Sequence, residues 1–222
     1  MKRFLLFSIV AWYITASCFC QIDWKNFMSQ QDMIWTRLPQ TWYEAPFMGN
    51  GSMGTYICKE PGKNAIRVDV GNSMVHDHRT NDRGVYGRCR LLIGYFLLHP
   101  AGEIKSGDMR LDLWNAETTG CIRTTLGEIK LKAYVTSESP YIVVEAEATE
   151  GEKDFTWKFY PENTDSPRQL NAIQRNNKKH LKKGYVSNPA SQLSVRNGVN
   201  YCWQPLPVSY THLRAHETLA NL

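Results

Sequence analysis

The sequence predicts an all-β chain folded as an antiparallel β-sandwich. Three observations lead there. From Trp42 to Tyr160, short runs alternate apolar and polar residues with a period of two, as half-buried strands require. Clusters of Gly, Pro, Asn and Asp interrupt that pattern roughly every 8–12 residues. Beyond residue 40, no stretch ahead of the late basic run carries a 3.6-residue apolar period. About eight half-buried strands hide their apolar faces best as two sheets packed against each other.

Taken in order, Gln21 to Thr41 predicts a short helix around Trp24 to Gln31 and then an extended lead-in strand. Gly49-Asn50-Gly51 predicts a tight turn, since its glycines adopt positive φ readily. Met53 to Cys58 predicts a strand, Pro61-Gly62-Lys63-Asn64 a turn, and Ala65 to Val70 a cleanly alternating strand. A polar loop spans Asn72 to Arg90, and Leu91 to Leu98 predicts a central strand. Pro100-Ala101-Gly102-Glu103 turns the chain. Met109, Leu111 and Leu113 are then expected inside, with Arg110, Asp112 and Trp114 outside. Glu117-Thr118-Thr119-Gly120 reads as a turn. Ile122 to Leu126, Glu128 to Val135, Tyr141 to Ala148 and Asp154 to Tyr160 read as strands. The hairpins from Met109 to Tyr160 are expected to share one sheet. Tyr201-Cys202-Trp203 predicts the start of another strand.

The composition is globular. Apolar residues make up 42% and charged residues 21% of 222, enough for one domain with a sizeable core. Fifteen Gly and ten Pro suit a loop-rich β-protein. The net charge of +5 falls to +3 once Lys2 and Arg3 are discounted. Much of the remaining excess lies between Ser166 and Leu206. That stretch holds no Asp or Glu but carries Arg168, Arg175, Lys178, Lys179, Lys182, Lys183 and Arg196. Such a run is a solvated insertion or a surface for a polyanion. No phosphate-binding motif accompanies it, so nucleic acid is not an expected partner.

Residues 1–20 predict a signal peptide. Lys2 and Arg3 precede the apolar Phe4 to Ile14, and small residues follow. The apolar run is short of the ~20 residues of a membrane span. Two endings stay open. Cleavage after Cys20 releases a secreted or periplasmic protein, which the residue pattern favours. A weak lipoprotein box, Ala16-Ser17-Cys18, would instead leave a lipid anchor on Cys18 at the outer membrane. Cys58, Cys89, Cys121 and Cys202 are widely spaced and form no Cys-x-x-Cys pair, which argues against a compact zinc site. Cys58, Cys89 and Cys121 are expected as small buried hydrophobes, and a disulfide among the four stays open. There is no P-loop, dinucleotide fingerprint or Gly-x-Ser-x-Gly elbow, so no cofactor is expected.

The stretch from Trp42 to Gly54 resembles the N-terminal domain of family 95 glycoside hydrolases, the α-L-fucosidase and α-L-galactosidase group. That family opens with Pro followed by Gly-Asn-Gly-x-hydrophobic-Gly. Here Pro46 precedes Gly49-Asn50-Gly51-Ser52-Met53-Gly54. Phe47-Met48 adds one residue to the usual spacing, and Asp69-Val70-Gly71-Asn72-Ser73 replaces the familiar Asn-Glu-x-x-Leu-Trp segment. The layout matches loosely over residues 33 to 160 and sharply only at the glycine motif, which points to a related glycosidase. The resemblance implies a β-supersandwich packed beside an (α/α)6 barrel. The barrel would carry the catalytic carboxylates, and sandwich loops would wall the sugar pocket. The expected partner is thus an oligosaccharide or polysaccharide, with the catalytic domain of the same chain beyond residue 206. A stand-alone secreted carbohydrate-binding sandwich is the alternative.

Six residues are the expected sugar contacts. Asn50 sits between glycines that let a ligand approach. His76, Asp77 and His78 combine imidazole and carboxylate in one loop, and two histidines are too few for a zinc site. Trp42 and Trp114, with Tyr43 beside the first, offer rings for a pyranose face. Asp69, Asp77, Asp82, Asp108, Asp112 and Glu117 are the available carboxylates, and a glycosidase pair would need two of them across a cleft. Residues 207–222 resemble a translated sequencing adapter through Val208 to Thr218. They are expected to be non-native, and His212 and His216 to carry no chemistry.

Overall fold

The computed structural model describes residues 22–76, 90–162 and 188–205, with the backbone of a strand at His216–Leu219. The expected leader with Cys18, the residues Asp77, His78, Asp82 and Cys89, and the basic run from Arg168 to Lys183 lie outside the described residues.

The fold is all-β, built on two five-stranded antiparallel sheets. Helix α1 (Trp24–Ser29) opens the described chain, and the Asp23 carboxylate caps it by accepting the Asn26 N–H at 3.1 Å. Strand β1 (Met33–Trp35) and a 3-10 turn (Trp42–Glu44) follow. Next come β2 (Phe47–Gly49), β3 (Met53–Lys59), β4 (Ile66–Asn72), β5 (Gly94–His99) and β6 (Ile104–Asp112). Strands β7 (Glu117–Thr124), β8 (Glu128–Val135) and β9 (Ile142–Ala148) precede a second 3-10 turn (Glu150–Glu152) and β10 (Thr156–Pro161). The first sheet runs β1-β6-β7-β8-β9 and the second β10-β5-β4-β3-β2. One core lies between them. Ile57, Ile66, Val68 and Leu98 from the second sheet meet Met109, Ile122, Ile129 and Leu131 from the first. Period-two alternation places each set on one face.

Three expectations shift. First, the turn after β6 comes at Leu113 to Ala116, four residues earlier than expected. The Asp112 carboxylate accepts the N–H groups of Trp114 and Asn115, both at 2.9 Å, and closes a local turn. Leu113 therefore leaves the strand and is exposed, its N–H donating to Asp32 at 2.9 Å. Second, β5 starts at Gly94, where φ is 155°. Leu91 and Ile93 stay apolar and buried, but in a separate small cluster with Val75. Third, β10 leaves the sheet of β6 to β9 and pairs with β5 in the second sheet. At that corner Glu152 is 0% exposed, with its carboxylate accepting the N–H groups of Ala101 (2.8 Å) and Gly102 (2.9 Å) and the Thr124 hydroxyl. The buried charge is thereby hydrogen-bonded, as burial demands.

A smaller sheet contains β11 (Gln192–Arg196), β12 (Val199–Trp203) and β13 (His216–Leu219), with β12 in the middle. Cys58, Cys121 and Cys202 form no disulfide among the described residues. Cys58 is buried as expected, while Cys121 is half-buried.

Candidate functional site

Among the described residues, Trp42 and Tyr43 are the most exposed rings, at 68% and 73% exposure. Their centroids lie 5.7 Å apart and their planes cross at 85°. The turn that carries them is held by Glu44. Its carbonyl accepts the Trp35 indole N–H at 2.7 Å, and its carboxylate accepts from Arg37 at 2.8 Å and from the Gln40 N–H at 2.5 Å. The hydrogen bond from Arg37 holds the Glu44 carboxyl below its ordinary value. Trp35 itself packs on the core. Two exposed rings therefore sit on a short segment anchored at its base. Phe47, also exposed, lies over Gly54, where an added Cβ would stand 3.4 Å from its ring. At Gly49 an added Cβ would stand 2.9 Å from the Met53 carbonyl oxygen, which gives one physical reason for a glycine in the motif.

Asn50 sits in the turn between β2 and β3. Its side-chain oxygen accepts from the Ser52 N–H (3.0 Å), the Ser52 hydroxyl (3.0 Å) and the Met53 N–H (2.8 Å). Its amide donates to the carbonyls of Thr136 (2.8 Å) and Ser139 (3.2 Å). The donors and acceptors of one amide are all used within the fold. Asn50 closes its own turn and pins it to the β8–β9 connection.

The pairing register links Asp112, Glu117, Tyr134 and Val143 across the first sheet. The β6–β7 and β8–β9 turns therefore share one end of the sandwich, and Asn50 brings the β2–β3 turn to that end. Trp114, 47% exposed, and Tyr141 stand in this group of turns. Trp42 and Tyr43 precede β2, at the opposite end of that short strand from Asn50. His76 forms an isolated β-bridge with Arg90, and its Nδ1 lies 3.0 Å from the Met74 carbonyl. Asp77 and His78, expected beside it, lie outside the described residues.

The sequence offers Asp69 as an available carboxylate on an alternating strand, but nothing in it shows what surrounds Arg67 and Asp69. Arg67 and Asp69 face outward from the second sheet and grip each other, Nε to Oδ2 at 2.5 Å and Nη2 to Oδ1 at 3.2 Å. The guanidinium also reaches Glu60 (3.4 Å) and Glu162 (3.8 Å) and lies 3.6 Å above the Tyr95 ring. Tyr95 stacks on Tyr160 at 5.4 Å. Burial opposes the Arg67 charge, but the Asp69 carboxylate more than offsets this and holds its pKa up. Burial, then the hydrogen bond to Asp69, raises that of the Tyr56 hydroxyl. A guanidinium engaged on so many sides braces the sheet.

Three more of the carboxylates that the sequence singles out are engaged within the fold. Asp108 pairs with Arg123 at 2.7 Å, Glu117 with Lys132 at 2.9 Å, and Asp112 closes its turn. Among the described residues, no group of three or more His, Cys, Asp or Glu gathers to hold a metal, and no helix is long and apolar enough to cross a membrane. Comparison with family models and with curated protein sequences finds no match.

Proposed function

We propose that the chain is the non-catalytic front sandwich of an exported glycoside hydrolase. In this reading it packs against a helical barrel that holds the catalytic carboxylates, and it contributes a wall of the sugar pocket. The supporting observation is the Trp42–Tyr43 pair, anchored at its base yet exposed. Rings at 85° form a corner with two faces. Such a corner suits a terminal sugar or a bent oligosaccharide better than the flat face of a crystalline polysaccharide. Asp69, Asp108, Asp112 and Glu117 are each engaged within the fold, whereas a glycosidase pair needs two carboxyls open to substrate, so these four are not the pair in this reading. The same corner would serve a stand-alone secreted carbohydrate-binding sandwich, which differs in having no barrel and no hydrolysis.

Affinity electrophoresis through gels loaded with different glycans tests the corner. The chain should be retarded by at least one glycan, and the Trp42→Ala/Tyr43→Ala double variant should run freely. Both side chains are exposed, so stability should change by less than about 0.5 kcal/mol for each. Equal retardation of both proteins, or retardation by no glycan, would sink this role for the pair.

A further inference from the structure

We infer that the outer edge of β9 is a docking site for an extended strand of another polypeptide, one that carries basic residues two positions apart. The inference is independent of the glycan reading. Strand β9 closes the first sheet and, among the described strands, pairs only with β8. The Thr149 N–H donates to the Glu128 carbonyl at 3.0 Å, and the Thr136 N–H to the Tyr141 carbonyl at 3.1 Å. Antiparallel hydrogen bonding alternates residue by residue. The odd-numbered residues from Tyr141 to Thr149 therefore bond to β8. Ile142, Val144, Ala146 and Ala148 direct their N–H and C=O groups away from it, to an edge that no other described strand covers.

The remaining edges of the two five-stranded sheets are less suited to pairing. Strands β1 and β2 have three residues each, and β10 ends in Pro161. Strand β9 has seven residues and no proline. Such an edge is a template for another strand.

The side chains define the occupant. Val144, Ala146 and Ala148 pack on the core but remain half-exposed, so alternate residues of an added strand would be apolar and extend that core. On the other face, Asp108 and Glu128 are both paired with Arg123, and Glu117 with Lys132. Glu145 and Glu147 are exposed and make no ion pair within 4 Å among the described residues; Lys132 and Lys130 stand opposite them on β8, on the side away from the edge. A strand laid beside them would place its outward residues opposite these two carboxylates, where Lys or Arg is favoured. A second copy pairing through the same edge about Ala146 would instead set Glu145 against Glu147, which is repulsive.

Amide hydrogen exchange on the full chain tests this with an acetylated hexapeptide of alternating valine and lysine and its valine–glutamate counterpart. The lysine peptide should slow exchange at Ile142, Val144, Ala146 and Ala148, and the glutamate peptide should not. Val144→Pro removes an outward N–H and leaves the β8 bonds in place, so it should abolish the protection. E145K/E147K tests the same edge without touching the backbone and should switch the preference to the glutamate peptide. Slow exchange at these four amides without any peptide would overturn the inference, because the edge would already be covered. So would equal protection by both peptides, protection by neither, or an unchanged preference in E145K/E147K.

Discussion

Glu152, Asn50 and Cys58 show how far single residues depend on their surroundings. Glu152 lies in a Glu-Gly-Glu segment that the sequence presents as an ordinary turn. Its carboxylate instead accepts two backbone N–H groups and a hydroxyl at 0% exposure. Nothing local distinguishes it from Glu150, because its partners come from residues about fifty positions earlier and from Thr124. Glu152→Ala orphans those donors and should cost about 3 kcal/mol in urea denaturation, whereas Glu150→Ala, at an exposed site, should cost almost nothing. Asn50 was legible as a special residue of its turn. Its grip on Thr136 and Ser139, more than eighty residues away, was not. Asn50→Ala should lower stability by about 2 kcal/mol.

Burial pushes the Cys58 thiol up from 9.0 to about 12. Over that range the unfolded thiol loses its proton while the folded one keeps it. The unfolded state then binds fewer protons, so stability falls as pH rises between those two values and is unaffected by this group below them. Cys58→Ala should flatten the alkaline decline in a pH series of melting curves. In the native chain, alkylation followed by mass spectrometry should label half-buried Cys121 before Cys58.

At the scale of the element, most strands could be read from alternation alone. Strands β3, β4, β8 and β9 fall where the period of two places them. Failures occurred where a side chain or a glycine outweighed the pattern. Asp112 pulled the β6–β7 turn forward, so Thr118, in a Thr-Thr-Gly string that suggests a turn, lies buried within β7. Gly94 delayed β5. A Cβ there would stand 2.6 Å from the Phe159 ring and 2.6 Å from the Tyr160 carbonyl, at a φ of 155°. Gly94→Ala should therefore cost about 2–3 kcal/mol, read from the denaturation midpoint. The crossing of β10 to the second sheet was illegible, because adjacency in sequence predicts pairing with β9 and only the Glu152 corner redirects the chain.

For the molecule as a whole, the sandwich followed from composition and period, since half-buried strands in such number need a second apolar face. Which aromatic rings are exposed was not legible in the sequence. Trp35 and Trp42 sit in one aromatic-rich stretch, yet Trp35 packs on the core and Trp42 is exposed. Residue type does not separate them, because either ring satisfies the same apolar demand. The Arg67 brace was hidden for the same reason, its partners Glu60, Tyr95 and Glu162 being gathered only by sheet pairing.

The proposal that this sandwich fronts a glycosidase is tested most directly by sequencing the gene across codon 206. The account predicts that the reading frame continues into several hundred residues of helical pattern, replacing the adapter-like Val208 to Leu222. A frame that encodes Val208 to Leu222 and then stops would contradict it, leaving a small secreted binding module as the reading to pursue.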